Sequence, residues 1–249
     1  MADAAVLAYR QWRLERRLFW RNPTAAFFSF VLPLLFLFLF GAIFSGDQKT
    51  LNVIVPGILG LSVMSTTFNA LAMNVTFLRE EGVLKRIHGT PMPPGSYLAG
   101  VVMNAVSNAT VQVVIVVIAG RLFFNLGWPK DWLELAVFAA VGVATLAALG
   151  VAFSHVIPNF DAAPAYTNIV FLPVIFISGV FYDVDTAPQF LRDIAQILPL
   201  THVIDGFSAA LVTGASMADL AGDLAVVAAW GVFGAIFAVR GFSWESRRS

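Results

Sequence analysis

One short polar segment, residues 78–97, combines charges of both signs, an apolar stripe and a proline stop. This pattern predicts a short charged helix outside the hydrocarbon. Charge pairs four residues apart stabilise such a helix by only about 0.2–0.5 kcal/mol each, so they are better suited to docking a partner. Its apolar stripe, Val83, Leu84 and Ile87, is predicted to fill a pocket on that partner. The alternative is a solvated turn. The residues are Arg79, Glu80, Glu81, Gly82, Val83, Leu84, Lys85, Arg86, Ile87, Thr90 and Pro91.

Amide and hydroxyl side chains form a second group, set within otherwise apolar stretches. Such groups must find partners in hydrocarbon, so they face either neighbouring helices, as interhelical contacts, or a water-filled translocation path. The sequence leaves both readings open. The residues are Thr66, Thr67, Asn69, Asn74, Asn104, Asn108 and Gln112.

A third group is aromatic. Phe171 and Phe176 flank Pro173 in a later apolar stretch, where a proline is a site for a helix kink. An aromatic wall of this kind suits an apolar or amphipathic cargo. The alternative is that these rings simply face lipid.

Several kinds of chemistry are excluded by the sequence. It has no GxxxxGK[ST] phosphate loop, no HExxH and no GxSxG motif, which argues against an ATPase, a protease or a lipase. There is no cysteine, so disulfides and thiol catalysis are absent. The aspartates of the loop after Tyr182 match no calcium-loop spacing, and no metal site or cofactor is predicted. We therefore expect no enzyme activity from the chain by itself.

Six apolar stretches must position these groups. Hydrophobic residues make up 59% of the chain, against about 45–50% in soluble domains. Most stretches reach the roughly 18 residues that a helix needs to cross hydrocarbon. We therefore predict an all-α polytopic membrane protein with residues 1–249 as a single domain. The predicted transmembrane helices are residues 26–44, 53–78, 97–119, 133–155, 166–182 and 220–239.

Positive charge sets the predicted topology. With the N terminus in the cytoplasm and six spans, 11 of the 15 lysine and arginine residues lie on the cytoplasmic side and 4 outside. Both termini are therefore expected in the cytoplasm. Residues 1–25 are predicted to form an amphipathic interface helix on the inner leaflet. The apolar, proline-broken loop between spans five and six is predicted to form an extracellular re-entrant or interfacial helical hairpin.

Two motifs then give the sequence a family resemblance. Arg79, Glu80, Gly82, Leu84 and Arg86, followed by Thr90-Pro91 and Tyr97-Leu98-x-Gly100, resemble the loop between spans two and three of ABC-2 type permeases. A second match begins with Phe176-x-Ser178-Gly179-x-Phe181 and continues to Leu198-Pro199-Leu200-Thr201-His202, where His202 replaces the usual tyrosine. The resemblance covers nearly the whole chain and is greatest to drug, antibiotic and lipo-oligosaccharide exporters.

The resemblance implies a role for each group of residues. The segment Glu80–Ile87 would be the coupling helix that docks a separate ATPase subunit, which would bind ATP and Mg²⁺. Spans two and five would line a conduit between two copies, with Thr66, Asn69, Asn74, Phe171 and Phe176 in the path. Ser178, Gly179 and Phe181 would form an exit gate. The interface helix would contribute Trp12, Arg13, Arg16, Arg17 and Trp20.

The expected function is the membrane subunit of an ATP-driven exporter for an amphipathic substrate: a drug, an antibiotic, a lipid or a glycolipid. Its expected partners are an ABC-type ATPase, a second permease copy (identical or a paralogue) and membrane lipid, with no nucleic acid. The expected location is the bacterial plasma or inner membrane. A stand-alone ion-coupled carrier or facilitator is the alternative, but no charge lies in mid-span to couple it. A lipid-modifying enzyme lacks a cluster of acid, base and nucleophile.

Overall fold

The computed structural model describes residues 4–90 and 92–241, and these residues form helices without any strand. This confirms the predicted all-α class. A π-helical segment, Ser65–Asn69, joins α3 to α4, and a second, Ala209–Thr213, extends α10. The described helices are α1 Ala4–Arg21, α2 Pro23–Ile43, α3 Gln48–Met64, α4 Ala70–Glu80, α5 Val83–His88, α6 Pro94–Phe124, α7 Trp132–Phe153, α8 Ala163–Ile177, α9 Gln189–Ala195, α10 Pro199–Ser208 and α11 Ala221–Gly241.

Four of the described helical stretches are long and apolar enough to cross a membrane. They correspond to predicted spans two, three, four and six, and they are Gln48–Glu80, Gly95–Phe124, Trp132–Phe153 and Ala221–Arg240. Predicted spans one and five correspond to shorter apolar helices, Ser29–Ile43 and Ala163–Ile177. Counting α9 and α10 together as one broken span raises the number to five. The count of six therefore stays a prediction.

Two of these helices are longer than the bilayer is thick. The stretch Gln48–Glu80 has 33 residues, or about 50 Å at 1.5 Å per residue, against a hydrocarbon core of about 30 Å. The α6 helix begins at Pro94, a residue suited to the first turn, and has 31 residues. Their ends therefore project beyond the hydrocarbon, and the loop helix α5 connects the two projecting ends.

Small residues hold the bundle together around α7. The Thr145 hydroxyl donates a 3.0 Å hydrogen bond to the Val227 carbonyl of α11, and Gly231 lies against the same threonine. On another side of α7, Gly150 packs directly on the backbone of Phe68. Close backbone approach of this kind is the usual source of helix association in lipid, where burial of apolar surface gives little drive.

The helical pair predicted between spans five and six is present as α9 and α10, which meet at a bend of 90°. Leu200, Val203 and Phe207 of α10 are fully buried. Ile204 fits against Gly60 of α3, and further along α10 Gly206 lies under the ring of an α7 phenylalanine. This burial between α3 and α7 favours the inserted form of the hairpin over one lying on the membrane surface.

Candidate functional site

The loop helix α5 is separated from α4 by a single sharp turn. Gly82 has a φ of +68°, in the left-handed region, so a side chain at this position would strain the backbone. The α5 helix then runs for six residues, Val83–His88, and ends before Gly89 and Thr90. The structure thus confirms a short helix in this loop. Pro91 lies outside the described residues.

The apolar stripe of α5 faces the protein rather than a partner. Leu84 is fully buried in the main hydrophobic core. Val83 and Ile87 are partly buried and line a cavity inside the chain. Leu84 therefore cannot fill a pocket on a partner as predicted, whereas for the partly exposed Val83 and Ile87 that role stays a prediction. A six-residue helix at the membrane surface needs its own anchor, and the stripe provides it.

Two of the charged residues, at the end of α4, fasten that helix to the loop between α7 and α8. Arg79 is buried, and its Nη2 donates a 2.7 Å hydrogen bond to the Ile157 carbonyl. The Glu80 carboxylate accepts a 2.6 Å hydrogen bond from the Phe160 amide. The Phe160 ring also meets Phe77 edge-on at 5.2 Å. These contacts hold the end of α4, just before the turn into α5, against that loop.

The remaining charges of the segment point away from the bundle. Glu81, Lys85 and Arg86 are exposed, as is Thr90. The Arg86 guanidinium makes only a long 3.4 Å contact with the Glu81 carbonyl. We call Glu81, in the turn before α5, together with Lys85 and Arg86 of α5 the charged face. This face carries both positive and negative charge at the surface, and a docking partner would recognise it through complementary charges.

The interface helix α1 packs along the first half of α6. The Trp12 indole donates a 3.0 Å hydrogen bond to the Ser107 hydroxyl, and the Ser96 hydroxyl donates to the Ala4 carbonyl. Gly100 brings the two helices close, because a side chain there would collide with Gln11. This contact was not predicted from the sequence.

The predicted residues of the interface helix divide between packing and exposure. Arg13 and Arg17 are exposed. Arg16 is partly buried and lies 5.8 Å from the centre of the Trp12 ring, within range of a cation–π contact. Trp20 is half exposed and stacks on Phe30 of α2 at 5.7 Å. The aromatic residues thus tie α1 to the bundle, while two arginines are free to face lipid headgroups or a partner.

A cavity of about 400 Å³ lies where α1, α2, α4, α5 and α6 meet; we call it the inner cavity. Its walls combine apolar side chains with nearly as many polar ones. The polar side chains include Glu15, Asn74, Asn104 and Asn108. Because α5 and α1 both form its walls, a displacement of either helix would change the shape of the cavity.

The amide groups of α6 divide into two kinds. Gln112 donates a 2.7 Å hydrogen bond from Nε2 to the Ser29 carbonyl and so acts as an interhelical contact between α6 and α2. Asn104 and Asn108 line the inner cavity, and their buried Oδ1 atoms have no hydrogen-bond partner among residues 4–90 and 92–241. The sequence could not distinguish these roles, because all three residues follow one helix face.

Burial also raises the pKa of the Glu15 carboxyl, although a 2.7 Å hydrogen bond from Gln11 opposes the shift. Glu15 is the acidic member of the cavity wall. The sequence showed it only as an exception on an otherwise basic helix, and nothing in the pattern linked it to Asn104 or Asn108.

The predicted path residues do not come together in one chain. Thr66 and Asn74 line the inner cavity, whereas Phe171 and Phe176 lie on α8, outside its lining. Asn69 has a buried Oδ1 without a partner among the described residues. The α3 half of span two is buried along nearly its whole length, so it cannot line a conduit between two copies as expected. Within predicted spans two and five, α4 and α8 do carry exposed side chains, and a role for them in lining the conduit stays a prediction.

The predicted gate residues form a compact turn after α8. Ser178 is buried, Gly179 has a φ of +76°, and the next carbonyl, that of Val180, lies against Gly57 in the middle of α3. The Phe181 ring packs 5.4 Å from Phe40 of α2. The turn therefore fastens α8 to α2 and α3. Whether it opens as a gate stays a prediction.

Comparison with known proteins identifies the family. The family model described as ABC-2 type transporter matches residues 5–212, which include every segment described above except α11. The chain belongs to the ABC-2 type transporter family. The resemblance seen in the sequence is thereby confirmed, and the family is one of transport permeases in a multi-pass membrane setting.

Three curated relatives are similar over part of their length. The inner membrane transport permease YadH of Escherichia coli K12 is 24% identical over 63% of this chain and 61% of its own. The linearmycin resistance permease protein LnrN of Bacillus subtilis is 22% identical over 68% of this chain and 44% of its own. Nodulation protein J of Rhizobium leguminosarum bv. viciae is 26% identical over 61% of this chain and 59% of its own. The match thus spans less than two thirds of each relative.

Proposed function

We propose that this ABC-2 chain is the transmembrane permease subunit of an ATP-driven exporter. A separate nucleotide-binding subunit would bind ATP and Mg²⁺ and supply the energy. The names of the relatives support transport, and one of them, LnrN, is named for resistance to linearmycin. The direction, from the cytoplasm or inner leaflet outward, follows from the family resemblance.

The observation that carries the proposal is the two-sided construction of α5. One side presents the charged face Glu81, Lys85 and Arg86 to the surroundings, and the other forms a wall of the inner cavity through Val83 and Ile87. A partner that pushes on the charged face would move the cavity wall directly. The contacts of Arg79 and Glu80 would carry the same displacement to the loop before α8.

The inner cavity favours an amphipathic substrate. It is lined by leucine, valine, alanine and aromatic side chains together with the Asn74, Asn104 and Asn108 amides. Amides both donate and accept hydrogen bonds, so they can bind a polar headgroup that does either, while the apolar part of the wall accepts a hydrocarbon portion. A drug, an antibiotic, a lipid or a glycolipid would meet these requirements.

A second copy of the chain, or a paralogue, would complete the conduit. On α8 the side chains of Ile169, Leu172 and Phe176 are 72%, 49% and 59% exposed. On α4 the neighbouring Asn74 and Phe77 are also exposed. We propose that these surfaces of α4 and α8 face the partner copy across the path.

The proposal is tested by site-specific crosslinking, for which the chain is well suited because it contains no cysteine. The variant Glu81→Cys would be expressed in its native membrane and treated with a thiol-to-amine crosslinker, and its adducts identified by mass spectrometry. The expected adduct is an ABC-type ATPase. Asp193→Cys, at an exposed position on α9, is the matched control and should not form that adduct. Transport by the purified chain alone, driven by an ion gradient without ATP, would contradict the proposal.

A further inference from the structure

A histidine and two aspartates converge where the hairpin meets the last helix. His202 and Asp205 are three residues apart on α10 and so share one face, while Asp223 lies in the first turn of α11. One ligand atom from each of the three side chains lies within 4.8 Å of the others. The cluster therefore joins two elements that are distant in sequence.

Both ring nitrogens of His202 have a hydrogen-bond partner, and one of these partners is Asp223. Nε2 lies 2.9 Å from the Gln196 carbonyl, which can only accept, so Nε2 carries a proton. Nδ1 lies 2.6 Å from the Asp223 carboxylate, which is the separation of a hydrogen bond, so these two atoms share a proton. A metal ion bound here would displace that shared proton and take the lone pair of Nδ1. A histidine that donates one ring N–H to a carbonyl while its other nitrogen faces ligands is the usual arrangement at a metal site.

The structure assigns these three residues, we propose, as a binding site for a divalent transition-metal ion of the Zn²⁺ class. One imidazole and two carboxylates suit zinc, which accepts nitrogen and oxygen ligands, and their two negative charges balance the ion. Ca²⁺ and Mg²⁺ prefer oxygen ligands alone and gain little from the imidazole. Ligands about 2.0–2.2 Å from a tetrahedral ion lie about 3.3–3.6 Å from one another. Nδ1 and the Asp223 carboxylate, now 2.6 Å apart, must therefore separate slightly, while rotation of the exposed Asp205 side chain can bring its carboxylate to the ion.

The site would clamp the hairpin to the last helix. Only 12% of the His202 side chain and 26% of the Asp223 side chain are exposed, so the metal would be held partly inside the contact between α10 and α11. His202 also occupies the position where the resemblance leads one to expect tyrosine. The site is thus a feature of this chain's own residues, independent of whether the chain is an exporter.

The test is a calorimetric titration of the purified, metal-stripped chain in detergent with Zn²⁺ at pH 7.5. We expect one saturable site per chain and a rise in the thermal unfolding temperature. His202→Tyr introduces the residue common in the family, so it should fold, yet its affinity for Zn²⁺ should fall at least tenfold. Asp223→Asn should show the same loss, whereas Asp193→Asn, an exposed aspartate on α9, should bind as the unmodified chain does.

Three results would overturn the assignment. The first is the absence of saturable Zn²⁺ binding, which would leave a proton between His202 and Asp223. The second is an unchanged affinity of His202→Tyr for Zn²⁺. The third is competition by Ca²⁺ at equal concentration. The last would show that the imidazole plays no part. None of these outcomes bears on coupling to an ATPase, so the result is distinguishable from a failure of the proposed function.

Discussion

The guanidinium of Arg79 donates a 2.7 Å hydrogen bond to the carbonyl of Ile157, and only 8% of Arg79 is exposed. This bond joins the end of α4 to the loop that leads into α8. The Glu80 carboxylate adds a second contact to that loop at the Phe160 amide. Arg79 and Glu80, which were expected to bind a partner, therefore hold the end of α4 in place beside the exposed charges. We call this pair of contacts the platform.

The first prediction concerns this platform. Arg79→Ala should lower the free energy of unfolding by about 1.5–3 kcal/mol, because the Ile157 carbonyl would lose a charge-assisted donor in a buried setting. Thermal unfolding in detergent measures the change. Arg86→Ala removes the same type of side chain from the exposed charged face and should leave stability within about 0.5 kcal/mol. Equal effects of the two variants would show that the buried bond is not structurally important.

The second prediction separates folding from docking within α5. Leu84→Asp should cost about 4 kcal/mol or more and reduce the amount of folded protein, because it buries a carboxylate in the core. Glu81→Lys should fold normally, since its side chain is exposed, but should weaken association with the ATPase. Size-exclusion chromatography monitors folding, and copurification monitors association. A well-folded Leu84→Asp chain would contradict the observed burial.

The sequence allowed the helices, the loop helix and the hairpin to be predicted, because each depends on local hydropathy and on proline or glycine stops. It did not reveal which face of α5 is buried, since Val83, Leu84 and Ile87 would form an apolar stripe in either case. That choice depends on α1 and α6, two helices outside the local sequence of α5 that line the inner cavity together with Val83 and Ile87. The pairing of His202 with Asp223 was hidden for the same reason, as 20 residues separate them.

The third prediction concerns the turn after α8. A Cβ at Gly57 would overlap the Val180 carbonyl, and a backbone atom cannot rotate away as a side chain can. Gly57→Ala should therefore cost about 1–3 kcal/mol and displace the turn from α3. Gly95→Ala is the matched control, because a Cβ there meets nothing within 4 Å and alanine favours a helix. Unchanged stability of Gly57→Ala would mean that the turn does not rest on α3 in the folded protein.

The fourth prediction follows from the raised pKa of Glu15, whose main cause is burial. Folding then favours the protonated carboxyl, so its contribution to stability is present below the unfolded pKa of about 4.5 and is lost as pH rises through the folded pKa. Glu15→Gln has no carboxyl to ionise, so its stability does not fall with pH in this way. Between pH 4 and 8, the unfolding temperature of Glu15→Gln should therefore match that of the unmodified chain at the acid end and exceed it by a margin that grows as the pH rises above about 4.5, until the folded carboxyl is ionised. A difference that stays constant over this range would contradict the raised pKa.

The last prediction decides whether the α6 amides are interhelical contacts or cavity lining. Asn108 is 8% exposed, and its Oδ1 has no hydrogen-bond partner in the described part of the chain. Replacing an unpaired buried polar group by an apolar one of similar size relieves a desolvation cost, so Asn108→Leu should keep or raise the unfolding temperature.

Gln112→Leu supplies the contrast to that variant, because it removes the 2.7 Å bond to the Ser29 carbonyl and leaves an acceptor unpaired. It should cost about 1–3 kcal/mol. If Asn108→Leu preserves stability but abolishes ATP-dependent extrusion by cells, the amide serves the inner cavity, since groups kept for binding often lower stability. If both variants are equally destabilised, Asn108 is an interhelical contact, and the inner cavity loses its polar wall as evidence for an amphipathic substrate.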